Sequence, residues 1–101
     1  MTIEEKLEKF RKLLEEHQLV GLIKRNVDCE GNRINCKTKI VNGNKYIKVN
    51  VGHSGKYMVE NQTEKIFGIK AYGVIHRGHQ YGTLNTINEY DWSGYVGRKI
   101  I

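Results

Sequence analysis

A chain of 101 residues with 39% hydrophobic and 28% charged residues has the balance of one folded domain, not of a disordered segment. No apolar run reaches the roughly 18 to 20 residues that span a bilayer, and Glu4, Glu5, Lys6, Glu8 and Lys9 interrupt any leader-like start, so a cytoplasmic protein with no membrane association is expected. The net charge of +6 is unevenly placed: residues 1–20 carry four cations and five anions, or −1, and residues 21–101 carry thirteen and six, or +7. That basic excess would attract phosphates or an acidic surface.

Thr2 followed by Glu5 is a capping box, which satisfies orphan amides at a helix start. Ile3, Leu7, Phe10 and Leu14, with Leu13 beside them, form one apolar stripe at helical spacing. The pairs Glu5 with Lys9 and Glu8 with Lys12 support its solvated side. The helix is expected from Thr2 to about His17, with His17 a surface residue at its end, and its stripe docked on the sheet.

After Gly21 the pattern changes to period two. Leu22 to Asp28 reads as a strand, with Glu30, Gly31 and Asn32 as its turn. Arg33 to Val41 and Asn44 to Val51 flank Asn42 and Gly43, a dipeptide suited to a two-residue type I′ hairpin. That register sets Lys37 against Lys48, Lys39 against Tyr46 and Asn35 against Asn50 on one face, and Cys36, Thr38 and Ile34 against Val49, Ile47 and Val51 on the other. Like charges directly across a strand pair repel unless an anion lies over them. Cys29 and Cys36 fall out of register for a bridge, so two reduced thiols are expected and no metal site.

Gly52, His53, Ser54 and Gly55 form the next turn, and Lys56 to Glu60 the next strand. Asn50 and Tyr57 rule out a P-loop there, and Lys56 rules out a nucleophile elbow. A glycine-flanked loop ending in lysine still suits a phosphate. The stretch Ile66 to Leu84 joins the best strand signal to the densest set of useful side chains. Phe67, Ile69, Ala71 and Ile75 are expected on its core face, and Lys70, Tyr72, Val74 and His76 on the other, with Gly68 and Gly73 inside the strand. Arg77, Gly78, His79 and Gln80 read as a loop and Tyr81 to Leu84 as a last strand. Thr86 and Glu89 suggest a second capped helical turn before Trp92, a core plug, and a tail ending in Ile100 and Ile101.

The run Lys45 to Val49, then Tyr57 to Asn61, then Thr63 to Ile69 resembles a pattern in many short bacteriophage-encoded proteins, with an acidic N-terminal helix, a KYxKV strand and a phrase like FVDxxTGxVYxAxxWK. Glu64 stands where that phrase prefers glycine, and this chain has no proline after it. The resemblance implies a phage origin, a helix-plus-sheet fold and a location in the host cytoplasm, but no chemistry.

The expected fold is α+β in one domain: a helix over 1–18, a mainly antiparallel sheet of five or six strands over 20–84, and a short helical turn and tail over 85–101. The expected function is non-enzymatic binding of a phosphate-bearing, nucleotide-like ligand by Lys37, Lys39, Tyr46, Lys48, Lys70, Tyr72, His76, Arg77 and His79, without a cofactor. In a phage protein that activity would sequester an immune signalling nucleotide. Alternatives are nucleic-acid binding along the same face, inhibition of a host nucleic-acid enzyme, and a histidine-dependent phosphodiesterase. A small core and an apolar tail also lead to the expectation of a homo-oligomer.

Overall fold

In the computed structural model, which describes residues 2–24, 36–52, 54–71, 74–94 and 97–100, the Thr2 hydroxyl accepts the Glu5 amide at 3.2 Å. The helix opened by that cap, α1, spans Ile3–Lys24. Its buried residues are Leu7, Phe10, Leu14, Gly21 and Leu22, so the helix continues about two turns beyond the expected end at His17 and carries its buried stripe to Leu22. The extension is held by tertiary bonds that no local pattern displays. Gln18 donates to the carbonyls of Trp92 and Gly94, and the Trp92 amide donates to His17 Nδ1 at 3.0 Å. His17 is therefore a mid-helix acceptor, not a terminal surface residue. Glu8 pairs with Arg11 at 2.6 Å in place of Lys12.

Residues 22–24, expected to open a strand, are helical; the rest of Leu22–Asp28, its turn, Cys29, Arg33 to Asn35 and His53 lie outside the described residues. Cys36 is buried.

Strands β1 (Thr38–Val41), β2 (Tyr46–Val51), β3 (Ser54–Glu60), β4 (Lys65–Ala71) and β5 (Val74–Thr83) form an antiparallel meander in that order. The fold is thus α+β, one helix on a five-stranded sheet. The β1–β2 register differs from the expected one. Lys39 faces Asn50 and Val41 faces Lys48, so Lys37 is not opposite Lys48 and Lys39 is not opposite Tyr46. Among the described residues, positive φ angles occur at Gly52, Glu64 and Gly82, so Asn42 and Gly43 do not form the type I′ turn. Asn61 instead ties down a longer loop, donating to the carbonyls of Gly43 at 2.8 Å and Asn44 at 2.9 Å. A side chain at Gly43 would collide with the Tyr46 carbonyl, which accounts for glycine there. The shift is even, so the faces survive: Thr38, Ile47 and Val49 are buried while Lys39 stays exposed.

Ile66 to His76 is not one strand. Ala71 pairs with Val74, so the chain reverses between them, and Tyr72 and Gly73 lie outside the described residues. Val59 faces Ile66, which enters the helix-side core; Met58 faces Phe67, buried on the opposite side. The core face had been expected at Phe67. With apolar neighbours at both positions, period two cannot choose between them. The expected loop Arg77–Gln80 and the expected strand Tyr81–Leu84, as far as Thr83, are parts of the single β5.

Trp92 is fully buried among Phe10 at 4.9 Å, Tyr57 at 5.4 Å and Tyr90 at 5.2 Å between ring centroids, and its indole N–H donates to the Ile87 carbonyl at 3.0 Å. Tyr57 is 1% exposed and its hydroxyl accepts the Gly97 amide at 2.8 Å. Beyond β5, a 3-10 turn spans Ile87–Glu89; its expected capping box is not made, because Thr86 Oγ1 bonds the amide and carbonyl of Thr83. The C-terminal tail adds Arg98–Lys99 (β7) to Tyr90–Asp91 (β6) in a second, two-stranded sheet. No helix among the described residues is long and apolar enough to cross a membrane.

Two substitutions probe this frame. Glu64 sits at φ 61 and pairs with Lys6 at 2.8 Å. Glu64→Ala and Glu64→Gly both lose that pair, but only glycine relieves the left-handed backbone, so the glycine variant should be the more stable by about 1 kcal/mol in urea denaturation. Equal stabilities would contradict this. Burial also raises the Tyr57 phenol well above its ordinary value. The stability it contributes is complete below about pH 10, where the unfolded tyrosine ionises, and is lost as pH climbs towards the folded value. Tyr57→Phe should cost about 1 kcal/mol at neutral pH, by leaving the Gly97 amide unpaired, and should flatten the alkaline decline in the denaturation midpoint.

Candidate functional site

Two irregularities in the sheet meet at one groove. Between β2 and β3, Val49 faces Tyr57 and Asn50 faces Gly55, which leaves Lys56 as an extra residue. Between β4 and β5, Phe67 faces Gln80 and Gly68 faces His76, which leaves Arg77, Gly78 and His79 without ladder partners. Bulges of this kind re-aim side chains that regular pleating would send elsewhere. The result is a groove of about 390 Å³ lined by Gly55, Lys56, Gly68, Ile69, His76, His79 and Tyr81.

The lining chemistry is cationic and hydrogen-bonding. The rings of His76 and His79 lie 4.1 Å apart between centroids at 51°. Gly68 lets both Tyr81 and His79 close over the backbone, since a methyl there would sit 3.3 Å from Tyr81 Cε2 and 3.4 Å from His79 Cβ. His76 Nδ1 is buried with no hydrogen-bond partner among the described residues. Lys56 is half-buried, and burial holds its ammonium below the ordinary lysine value. Burial also raises the Tyr81 phenol, whose hydroxyl is a hydrogen-bond donor at neutral pH with or without that shift. No carboxylate is among the described residues that line the groove. Such a set favours an anion: losing part of its hydration weakens the ammonium alone and strengthens its attraction to a bound negative charge.

The opposite face of the sheet holds a different cluster. Arg77, one residue after His76, turns to it and meets Tyr46, Glu60 and Phe67. Its Nη2 donates to the Tyr46 hydroxyl and to Glu60 Oε2 at 3.3 Å, and its guanidinium lies 5.5 Å from the centroids of both Tyr46 and Phe67. Glu60 also accepts the Thr63 hydroxyl at 2.6 Å. That bond, then Arg77, holds the Glu60 carboxyl below its ordinary range.

The expected site residues are therefore divided. His76 and His79 line the groove. Arg77 and Tyr46 are clipped together across the sheet from it, on the face shared by Lys39 and Lys48. Lys37, exposed, precedes β1, and its carbonyl accepts the Gly52 amide at 2.7 Å. Lys70 is exposed and does not line the groove, and Tyr72 lies outside the described residues. Lys56 and Tyr81 are not in the expected set. For Lys56 a signal existed in the loop from Gly52 to Lys56; for Tyr81 there was none, because it enters through a bulge three residues long.

Among the described residues no group of three or more histidine, cysteine or acidic side chains is placed to hold a metal ion. Comparison with protein families, with curated proteins and with solved structures gave no match.

The Glu60 clip should be sensitive to acid. A carboxyl depressed in the folded state contributes stability above its unfolded value, about pH 4.3, and loses it as pH falls through the folded value. Denaturation midpoints of the wild type and Glu60→Gln, separated at neutral pH, should converge between about pH 5 and about pH 3. A gap that stays constant over that range would contradict the clip.

Proposed function

We propose that the protein binds a phosphate-bearing, nucleotide-like ligand in the groove, without turning it over. The observation that carries this reading is the convergence of Lys56, His76, His79 and Tyr81 on one groove with glycines at Gly55 and Gly68. The ammonium, the imidazoles and the phenol are donors for phosphate oxygens. The glycines let a ligand approach the backbone, and the imidazole faces with Ile69 offer a surface for a base. The resemblance to phage proteins extends this to sequestration of a host signalling nucleotide, a role that needs retention and not turnover.

Two other readings are weaker on the same geometry. Displacement at phosphorus needs the attacking and leaving groups served from opposite sides. Imidazoles side by side, with centroids 4.1 Å apart and planes tilted at 51°, approach from one side, which favours binding over cleavage. Nucleic-acid binding along the lysine face drew support from a Lys37–Lys48 pair, and the observed register sets Lys48 against Val41.

Thermal denaturation with AMP, cyclic AMP and inorganic phosphate tests the proposal. At a hundredfold excess over Kd, a ligand that binds the folded state adds about 2.7 kcal/mol. At least one nucleotide should raise the Tm of the wild type, and Lys56→Ala should remove most of that rise. No shift with any nucleotide, or a full shift in both Lys56→Ala and His79→Ala, would overturn the proposal.

A further inference from the structure

We infer that Arg77 is a positioning residue for the groove, acting from the other face of the sheet. From Phe67↔Gln80 to Gly68↔His76, β4 advances by one residue while β5 takes in Arg77, Gly78 and His79 as an excursion without ladder bonds. Backbone outside a ladder has conformational freedom unless side chains hold it. On the groove side the hold is by packing alone: His79 lies beside His76 of its own strand and over Gly68 of β4, with Gly78 packed against the His76 ring. On the far side the hold reaches three other strands, because Arg77 bonds Tyr46 of β2 and Glu60 of β3 and lies over Phe67 of β4. Glu60 is itself fixed by Thr63 at 2.6 Å.

Arg77 therefore ties the excursion to the body of the sheet, and His79 keeps its place over His76 through that tie. Arg77 does not line the groove, so its part is geometric. A planar, forked guanidinium suits this part because it bonds Tyr46 and Glu60 while covering two rings, which an ammonium cannot do.

Charge and geometry make opposite predictions for one substitution. Glu60→Ala removes an anion, so the field alone would strengthen binding of a phosphate; loss of the Arg77 tie would weaken it. Arg77→Lys keeps the charge and loses the fork. Two measurements on the wild type and both variants decide the matter: ring-to-ring NMR cross-peaks between His76 and His79, and AMP affinity by titration calorimetry. Both variants should lose the cross-peaks and bind AMP about tenfold more weakly, the scale on which supporting contacts are felt, with Tm lowered by only a few degrees. Retained cross-peaks in both variants, or tighter AMP binding by Glu60→Ala, would overturn the inference. The affinity measurement rests on the proposed function, whereas the cross-peaks do not. A wild type that binds neither AMP nor, in the same titration, cyclic AMP would sink that reading and leave the cross-peaks to decide the role of Arg77.

Discussion

The burial of Trp92 is the constraint on which the rest of the structure depends. Its ring is fully enclosed, with Phe10 of the helix, Tyr57 of β3, Tyr81 of β5 and Tyr90 of β6 around it. Burying a residue of this size requires that its N–H be satisfied, and the Ile87 carbonyl does so. The backbone on either side is then claimed by the helix, through His17 at the amide and Gln18 at the carbonyl. A single side chain thus joins the helix, the main sheet and the C-terminal strands. Gly97 completes the enclosure, because any larger residue there would overlap the indole.

The same packing reaches the groove through Tyr81. Its ring stands edge-on to Tyr57 at 5.4 Å and to Trp92 at 6.4 Å, while lying over Gly68 at the groove. The groove wall is therefore an extension of the aromatic core, which fixes it without a loop of its own. What the core does not fix is the bulged segment from Arg77 to His79. That segment depends on contacts made across the sheet, so the groove has one rigid wall and one wall held by a surface clip.

Much of the architecture was legible in the sequence. The cap at Thr2, the stripe of Leu7, Phe10 and Leu14, a helix on a mainly antiparallel sheet and the burial of Trp92 follow from local spacing and side-chain size. Several of the differences share a physical origin, a partner distant in the chain. Asn61 sets the loop at Asn42 and Gly43, and His17 and Gln18 are held by a residue some seventy-five positions later. Choosing Phe67 over Ile66 for the core failed because both are apolar, and both are buried on opposite faces. The histidines of the candidate site were visible as residue types. Their meeting with Lys56 and Tyr81 was not, because bulges carry no periodic signature and the nearby glycines mark only that one is present.

Ligand chemistry, on this reading, belongs to the bulge-lined groove and not to the lysine face across the sheet. A residue-resolved NMR titration with AMP tests that claim most directly, since each face reports through its own amides and rings. Progressive shifts are expected at Lys56, Gly68, His76, His79 and Tyr81, with Lys39, Lys48 and Asn50 unmoved. Shifts confined to Lys39, Tyr46 and Lys48, or none at all, would contradict it.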